Sequence, residues 1–222
     1  MAAVHDVRID FPGDACLSAV FGDAIDPASN ARCVALAVEL EETRPAGIRD
    51  IVPGFHSVMV YFDPLRVDRH ALAAEVERLV RERVPLKIPS NEDEVATVIP
   101  VHYGGVDGPD LEDVAAFARC SVDDVIRLHA GTTYRVYMLG FLPGFAYLGM
   151  VDARIAIGRL DAPRLRVRAG SVGIAGAQTA VYPCDSPGGW RIIGRTDLTM
   201  FDVTRANASL LSAGQRVTFV AA

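Results

Sequence analysis

Over the first 85 residues the apolar positions switch between the two-residue spacing of strands and the three-to-four spacing of helices, in the order strand, strand, helix, strand, strand, helix. Residues 4–10 and 15–21 are short β-rich runs split by the turn signal Pro12-Gly13-Asp14. Asp26-Pro27 opens a helix, with Asp at the cap and Pro in the first turn, and Ala31, Val34, Ala35 and Val38 follow one face. Glu39, Glu41 and Glu42 fall toward its end, where the helix dipole disfavours them. Ile48 to Val52 and His56 to Phe62 make a second strand pair around Pro53-Gly54, with Val58, Val60 and Phe62 on one face. Asp68 caps a helix that carries Leu72, Val76, Leu79 and Val80 at helical spacing.

The pattern breaks from Val84 to Glu94, where Pro85, Pro89, Ser90 and Asn91 mark a linker, so the chain reads as two domains, 1–85 and 94–222, joined by 86–93. Val95 to Tyr103 restarts as a strand, and helices follow over Asp110 to Arg119 and Val122 to His129. Ser121 and Asp124 give the second of these a Ser-x-x-acid start. After Gly131 short apolar strands alternate with Gly and Pro turns, the pattern of a β-barrel or sandwich. The fold class is therefore α+β, a small ββαββα two-layer domain followed by a β-barrel domain.

Composition narrows the chemistry. Half of the 222 residues are apolar and 23% are charged, which excludes disordered, collagenous and disulfide-miniprotein classes. Met138 to Val151, 14 residues with Pro143 and three glycines, is too short to span a bilayer, and the N-terminus lacks a signal-peptide pattern, so a cytoplasmic location away from membranes is expected. Cys16, Cys33, Cys120 and Cys184 lack zinc spacing, no two of the five histidines stand three or four apart, and a metal site is not expected. Lys87 is the only lysine, so there is no Walker A triplet and the chain brings no phosphate loop of its own.

The net charge of −6 is uneven: Arg154, Arg159, Arg164, Arg166, Arg168, Arg191 and Arg195 face only Asp161 and Asp185 within 154–195, a local excess of +5. That marks a local anion site, whereas the acidic remainder argues against nucleic acid as a partner. Ten of the 19 glycines lie between Gly140 and Gly194, interleaved with Phe141, Phe145, Tyr147, Tyr182 and the single tryptophan, Trp190. Glycine admits close backbone approach and aromatics supply pocket walls with polar tips, so this stretch reads as a small-molecule pocket. Ala169-Gly170-Ser171-Val172-Gly173 lacks the first glycine of a nucleophile elbow, and Gly170, Gly173 and Gly176 do not form a dinucleotide fingerprint. His102 ends a strand ahead of Asp107, Asp110, Glu112 and Asp113 and is a candidate general base.

VHYGGVDGPDLEDVAAFA, GFLPGFAYLGMVDARIA, APRLRVRAGSVGIAGAQTAVYP and SPGGWRIIGRT, with the N-terminal GDACLSAVFGDAIDPASN and GIRDIVPGFHSVMVYFDP, resemble the successive signatures of the 5-oxoprolinase B-subunit family. That family is also called allophanate hydrolase subunit 1 or Kip-type kinase inhibitor. The resemblance implies that the barrel is cyclophilin-like, without implying isomerase activity. It also implies a partner, an allophanate hydrolase subunit 2-like barrel protein (the 5-oxoprolinase C-subunit), and a third component, the A-subunit, in many bacteria. Together these open 5-oxo-L-proline to L-glutamate with ATP as co-substrate, bound mainly by a partner. The alternatives it leaves open are an allophanate hydrolase or urea carboxylase-type component acting on another small amide, and an inhibitor of a sporulation-type sensor histidine kinase.

Carried over by motif, Phe145, Tyr147, Ser171, Gln178, Tyr182, Trp190 and Arg195 surround the substrate pocket. Gln178 both donates to and accepts from a lactam, and Arg195 is the first choice for an anion contact. His102 stands where relatives place cysteine, and Arg168 where proline is usual.

Overall fold

A computed structural model describes residues 7–84 and 95–222, which fall into two compact units that divide between Glu92 and Asp93. The expected linker 86–93, with Lys87, and the first residues of the strand expected over 4–10 lie outside the described residues.

The first unit runs β1 (Arg8–Gly13), β2 (Cys16–Val20), α1 (Pro27–Thr43), β3 (Ile48–Pro53), β4 (Ser57–Phe62) and α2 (Arg69–Glu82). Its antiparallel sheet has the order β1-β2-β4-β3, and the two helices pack on it and on each other. Val58, Val60 and Phe62 are all buried on the inner face of β4, facing Leu72, Val76, Leu79 and Val80 of α2 in one apolar cluster. Asp26 accepts from the Ser29 N–H at 2.7 Å and Asp68 accepts from the N–H groups of His70 and Ala71, so both helices start on the acidic caps the sequence supplies.

Two expectations shift. The buried apolar positions of α1 are Ala31, Cys33, Leu36, Ala37 and Leu40; of the expected face Ala31 is buried and Ala35 packs against the core, whereas Val38 is 51% exposed. Burying two leucines removes more apolar area from water than burying the alanine-valine face, and that sets the rotation of the helix. Pro12 stays inside β1 and the turn falls at Asp14-Ala15, because β1 is an edge strand whose ladder slips between Asp10 and Gly13 and needs no N–H there. The unfavourable glutamates at the end of α1 find cations nearby: Glu39 accepts from Arg83 at 3.0 Å, and Glu41 pairs with Arg44.

The second unit runs β5 (Thr97–Tyr103), α3 (Leu111–Ala118), α4 (Val122–Ala130), β6 (Thr133–Leu139), β7 (Ala146–Gly149), β8 (Arg164–Val167), β9 (Ser171–Ala175), β10 (Gln178–Val181), β11 (Ser186–Gly188), β12 (Arg191–Arg195) and β13 (Arg216–Ala221). Seven strands close into a barrel of order β10-β7-β6-β13-β5-β12-β9, with β8 and β11 as a separate two-stranded ribbon. The β5–β13 pair is parallel and the other ladders are antiparallel. Ile99, Val101, Tyr134, Val136, Leu148, Ile174, Val217 and Phe219 belong to the barrel core, and α3 and α4 pack on each other and against β12 and β13. Ser121 and Asp124 form the capping box that starts α4. The architecture is thus α+β, a ββαββα two-layer unit followed by a β-barrel.

Side-chain alternation gives the barrel two chemically different faces. On β10, Thr179 and Val181 turn inward, whereas Ala180 and the adjoining Tyr182 join a second apolar cluster with Phe145, Val167, Ala175, Trp190 and Ile192. His129 is sealed in the inner face. Its Nδ1 lies 2.7 Å from the Tyr103 hydroxyl and its Nε2 lies 2.9 Å from Thr179 Oγ1. Thr179 spends its proton on the Gly173 carbonyl at 3.0 Å, so Nε2 carries the imidazole proton and Nδ1 accepts from Tyr103. Burial pushes the His129 pKa down to about 3, and the ring is a neutral, fully partnered core group.

Candidate functional site

The segment 140–149, GFLPGFAYLG, folds into a tight loop before β7. Leu142 N–H donates to Gly140 O at 2.8 Å, Phe145 N–H to Leu142 O at 3.0 Å, and Gly140 N–H to Phe145 O at 3.1 Å. The loop puts Phe141 in the left-handed region at φ 68°, where a bulky side chain is strained, and leaves its ring 61% exposed at a cleft rim. Gly144, at φ 83°, presses against Met200 and Phe201 where a Cβ has no room. Phe145 is buried as the floor, meeting Phe141, Tyr147, Tyr182 and Trp190 edge-on at centroid distances of 4.9 to 5.5 Å.

These rings form the wall of a cleft of about 210 Å³ completed by Arg159, Pro163, Pro187, Gly188 and Gly189. Gly188 is required by close approach: a Cβ there would meet the Tyr182 ring, 2.8 Å from Cζ. Burial pushes the Tyr147 and Tyr182 hydroxyls above the usual phenol range, with the Arg159 charge acting in the opposite sense on both, so both remain donors at neutral pH.

A second cleft, of about 170 Å³, is lined by Arg164, Arg166, Arg168, Ser171 and Arg195, together with Val106, Asp107, Pro109, Val167 and Ile192. Its arginines are largely committed. Arg164 makes a two-pronged pair with Asp110 at 2.6 and 2.9 Å, and Arg166 pairs with Asp185. Arg195 reaches Asp197 at 3.2 Å and the Ala169 carbonyl at 3.2 Å, while Arg168 stands 3.8 Å from Asp107. The two clefts adjoin, since Pro163 and Trp190 line the first and their near chain neighbours Arg164 and Ile192 line the second.

The seven expected pocket residues are therefore divided. Phe145, Tyr147, Tyr182 and Trp190 share the aromatic cleft, whereas Ser171 and Arg195, register partners across β9 and β12, share the arginine-lined one. Gln178 lines neither cleft; it opens β10 opposite Ala175, on the same face as Ala180 and Tyr182, and its Nε2 is buried without a hydrogen-bond partner. His102 is half exposed on β5, paired in register with Arg195 and 3.9 Å from Asp197. Three of the four acidic residues that follow it in the sequence are engaged elsewhere: Asp107 faces Arg168, Asp110 holds Arg164, and Asp113 accepts from Arg191 at 2.9 Å.

Two residues, Arg159 and Asp110, were not singled out for the site by the sequence. Arg159 was visible only as one cation among seven. Phe141 was marked with the aromatics of the pocket stretch, but no pattern reveals its backbone strain. Asp110 reads as a helix start, yet its carboxylate makes no cap and instead accepts from Arg164 and from the Ile192 N–H at 2.6 Å. Among the described residues there is no cluster of three or more His, Cys, Asp or Glu suited to a metal ion, and no helix long and apolar enough to cross a membrane.

The family description "carboxyltransferase domain, subdomain C and D" matches residues 7–211. The chain is 41% identical over 220 residues to the 5-oxoprolinase B-subunit of Bacillus subtilis (strain 168), covering 96% of this chain and 92% of that one. It is 43% identical over 174 residues to the protein of the same name from Escherichia coli O157:H7, covering 77% of each. Among solved structures it resembles TTHA0988 with a TM-score of 0.82 at 35% identity, covering 98% of this chain but only 40% of that longer one. Pyrococcus horikoshii PH0987 aligns at 44% identity and a TM-score of 0.57 over 97% of each chain. The K. lactis urea amidolyase, 20% identical with a TM-score of 0.77 over all of this chain and 15% of that one, shares the fold. On the near full-length match to its relatives, this chain belongs to the 5-oxoprolinase B-subunit family, within the carboxyltransferase domain, subdomain C and D.

Proposed function

We propose that this chain is a component of an ATP-dependent 5-oxoprolinase complex, a hydrolase that opens the cyclic amide 5-oxo-L-proline to L-glutamate. The observation that carries the reading is the pair of adjoining clefts on the barrel, one aromatic and one lined by arginines, in a chain whose relatives bear that name. A flat five-membered lactam stacks against Trp190 and Tyr147, with the Tyr182 hydroxyl within reach of its polar edge. Gln178 lines neither cleft, so no contact with the lactam is assigned to it.

An amide is a weak electrophile, so the chemistry needs activation. The lactam carbonyl oxygen attacks the γ-phosphorus of ATP and ADP leaves. Water then adds to the activated carbon and the C–N bond breaks to leave an acyl phosphate. A second water releases phosphate and glutamate. Fixed cations beside the reacting carbonyl stabilise the charge that develops, and Arg195 with Ser171 in the second cleft is assigned that task. With no Walker A triplet in the sequence, the nucleotide is held mainly by partner proteins, the allophanate hydrolase subunit 2-like barrel protein and a third chain. His102, half exposed and beside Asp197, is at most a peripheral proton carrier in this scheme.

The test is release of glutamate and ADP from 5-oxo-L-proline and ATP, measured with this chain alone and then mixed with its co-encoded partners. Turnover in the mixture and none with the chain alone is the expected outcome. A stably assembled mixture that leaves 5-oxo-L-proline intact refutes the substrate assignment and favours another small amide. Failure to assemble, together with inhibition of a sensor kinase, refutes the enzymatic reading.

A further inference from the structure

Seven arginines fall within 154–195, and six are committed to carboxylates: Arg154 to Asp152, Arg164 to Asp110, Arg166 to Asp185, Arg168 to Asp107, Arg191 to Asp113 and Arg195 to Asp197. Arg159 is the exception. Among the described residues no carboxylate lies within salt-bridge distance of it, and its guanidinium carbon stands 6.0 Å from the centre of the Trp190 ring. It stands in the lining of the aromatic cleft, whose other side chains are uncharged. We infer that Arg159 is the carboxylate-reading residue of this cleft, which therefore takes a small ring that bears a carboxylate and rejects the same ring without one.

The inference rests on the functional reading above for the identity of the ring, and on geometry for the charge. Three features converge on the guanidinium. It is exposed, so its five donors are not consumed by the protein. It lines the same cleft as Tyr147 and Tyr182, and its charge is felt by the hydroxyls of both. Its guanidinium carbon lies over the Trp190 ring, a contact that uses none of its N–H donors and leaves them available to two oxygens. A ring seated on the aromatic wall with its carboxylate toward Arg159 keeps its amide carbonyl free to face the adjoining arginine-lined cleft. This assignment moves the substrate's anion contact away from Arg195, which the sequence favoured but which lines the other cleft beside Asp197.

Trp190 supplies the probe, because it is the only tryptophan in the chain and lines the same cleft. Its emission is followed as the full chain, alone and in the assembled complex, is titrated with 5-oxo-L-proline and with 2-pyrrolidinone, the same lactam lacking the carboxylate. Binding of 5-oxo-L-proline tighter by about tenfold to hundredfold is expected, the range a charge-assisted fork confers. Arg159→Gln is expected to abolish that preference, Arg159→Lys to retain part of it, and Arg154→Gln, at a paired arginine outside both clefts, to leave it unchanged. A preference that survives Arg159→Gln, or equal binding of the two ligands by the unaltered complex, overturns the inference. Turnover separates this from the parent reading. If the complex consumes 5-oxo-L-proline and Arg159→Gln leaves its KM unaltered, the inference alone fails. If the complex ignores 5-oxo-L-proline as a substrate but the Arg159-dependent preference is present, the parent reading fails and the carboxylate subsite stands.

Discussion

Replacing Asp110 with alanine tests how the two clefts are held. The Asp110 carboxylate is 4% exposed and accepts from both Nη atoms of Arg164 and from the Ile192 N–H, and its own N–H donates to Ile192 O at 2.9 Å. Alanine keeps that last bond and removes the other three. The buried Ile192 N–H then has no acceptor, at a cost of about 1–3 kcal/mol. Arg164 is about one-third exposed and regains water, so its loss is smaller than the ~3–5 kcal/mol of a fully buried pair, roughly 1 kcal/mol. Together these give about 2–4 kcal/mol, or a fall in melting temperature of roughly 5–12 °C for a chain of this size. Asp110→Asn keeps an acceptor for Ile192 and is expected to lose about half as much. Thermal unfolding followed by Trp190 fluorescence reads the change, and the double variant Asp110→Ala with Arg164→Ala is expected to fall short of additivity by at least about 1 kcal/mol. A shift below about 2 °C, or additive losses, would falsify the claim that this carboxylate ties β8 to β12.

Other consequences follow from buried groups. His129 is neutral in the barrel with its pKa near 3, against 6.5 for a free imidazole. The unfolded chain therefore binds the extra proton, and stability is complete above pH 6.5 and falls as the pH drops toward 3. Between pH 7 and pH 5 the loss is about 2 kcal/mol, measured by urea unfolding, and His129→Gln is expected to flatten the slope. Gly188→Ala drives a Cβ into the Tyr182 ring, so a loss of about 1–3 kcal/mol and an altered near-ultraviolet spectrum are expected, with an unchanged spectrum counting against the packing described. Burial pushes the Cys33 thiol up to about 12, so with a thiol reagent exposed Cys184 is expected to react first and Cys33 only on unfolding.

Much of the fold was legible because local signals agreed with the tertiary structure. Asp26, Asp68 and Ser121 each supply a cap oxygen just ahead of an apolar period, and the Val58, Val60, Phe62 alternation has one buried face to satisfy. The rotation of α1 was not legible, since both of its stripes are apolar and only the sheet decides between them. The site was legible as composition and opaque as geometry. Glycine and aromatic enrichment marked the right segment. Which arginine stays free depends on where Asp110, Asp113, Asp185 and Asp197 fold to, and no spacing in the chain encodes that. Asp110 shows the same limit, because an acidic residue before a helix reads as a cap whether or not an arginine claims its carboxylate.

The most direct test of the central claim is to fill the aromatic cleft without disturbing the barrel. A Cβ at Gly189 meets its nearest neighbour, Pro163, at an ordinary 3.6 Å, so Gly189→Leu projects a side chain into the cleft at little cost to folding. Glutamate release by the assembled complex carrying this variant is the measurement. A fall of about hundredfold or more, with assembly and melting temperature retained, is expected if the lactam reacts from this cleft. Undiminished turnover in an intact complex would contradict it and place the reacting amide elsewhere.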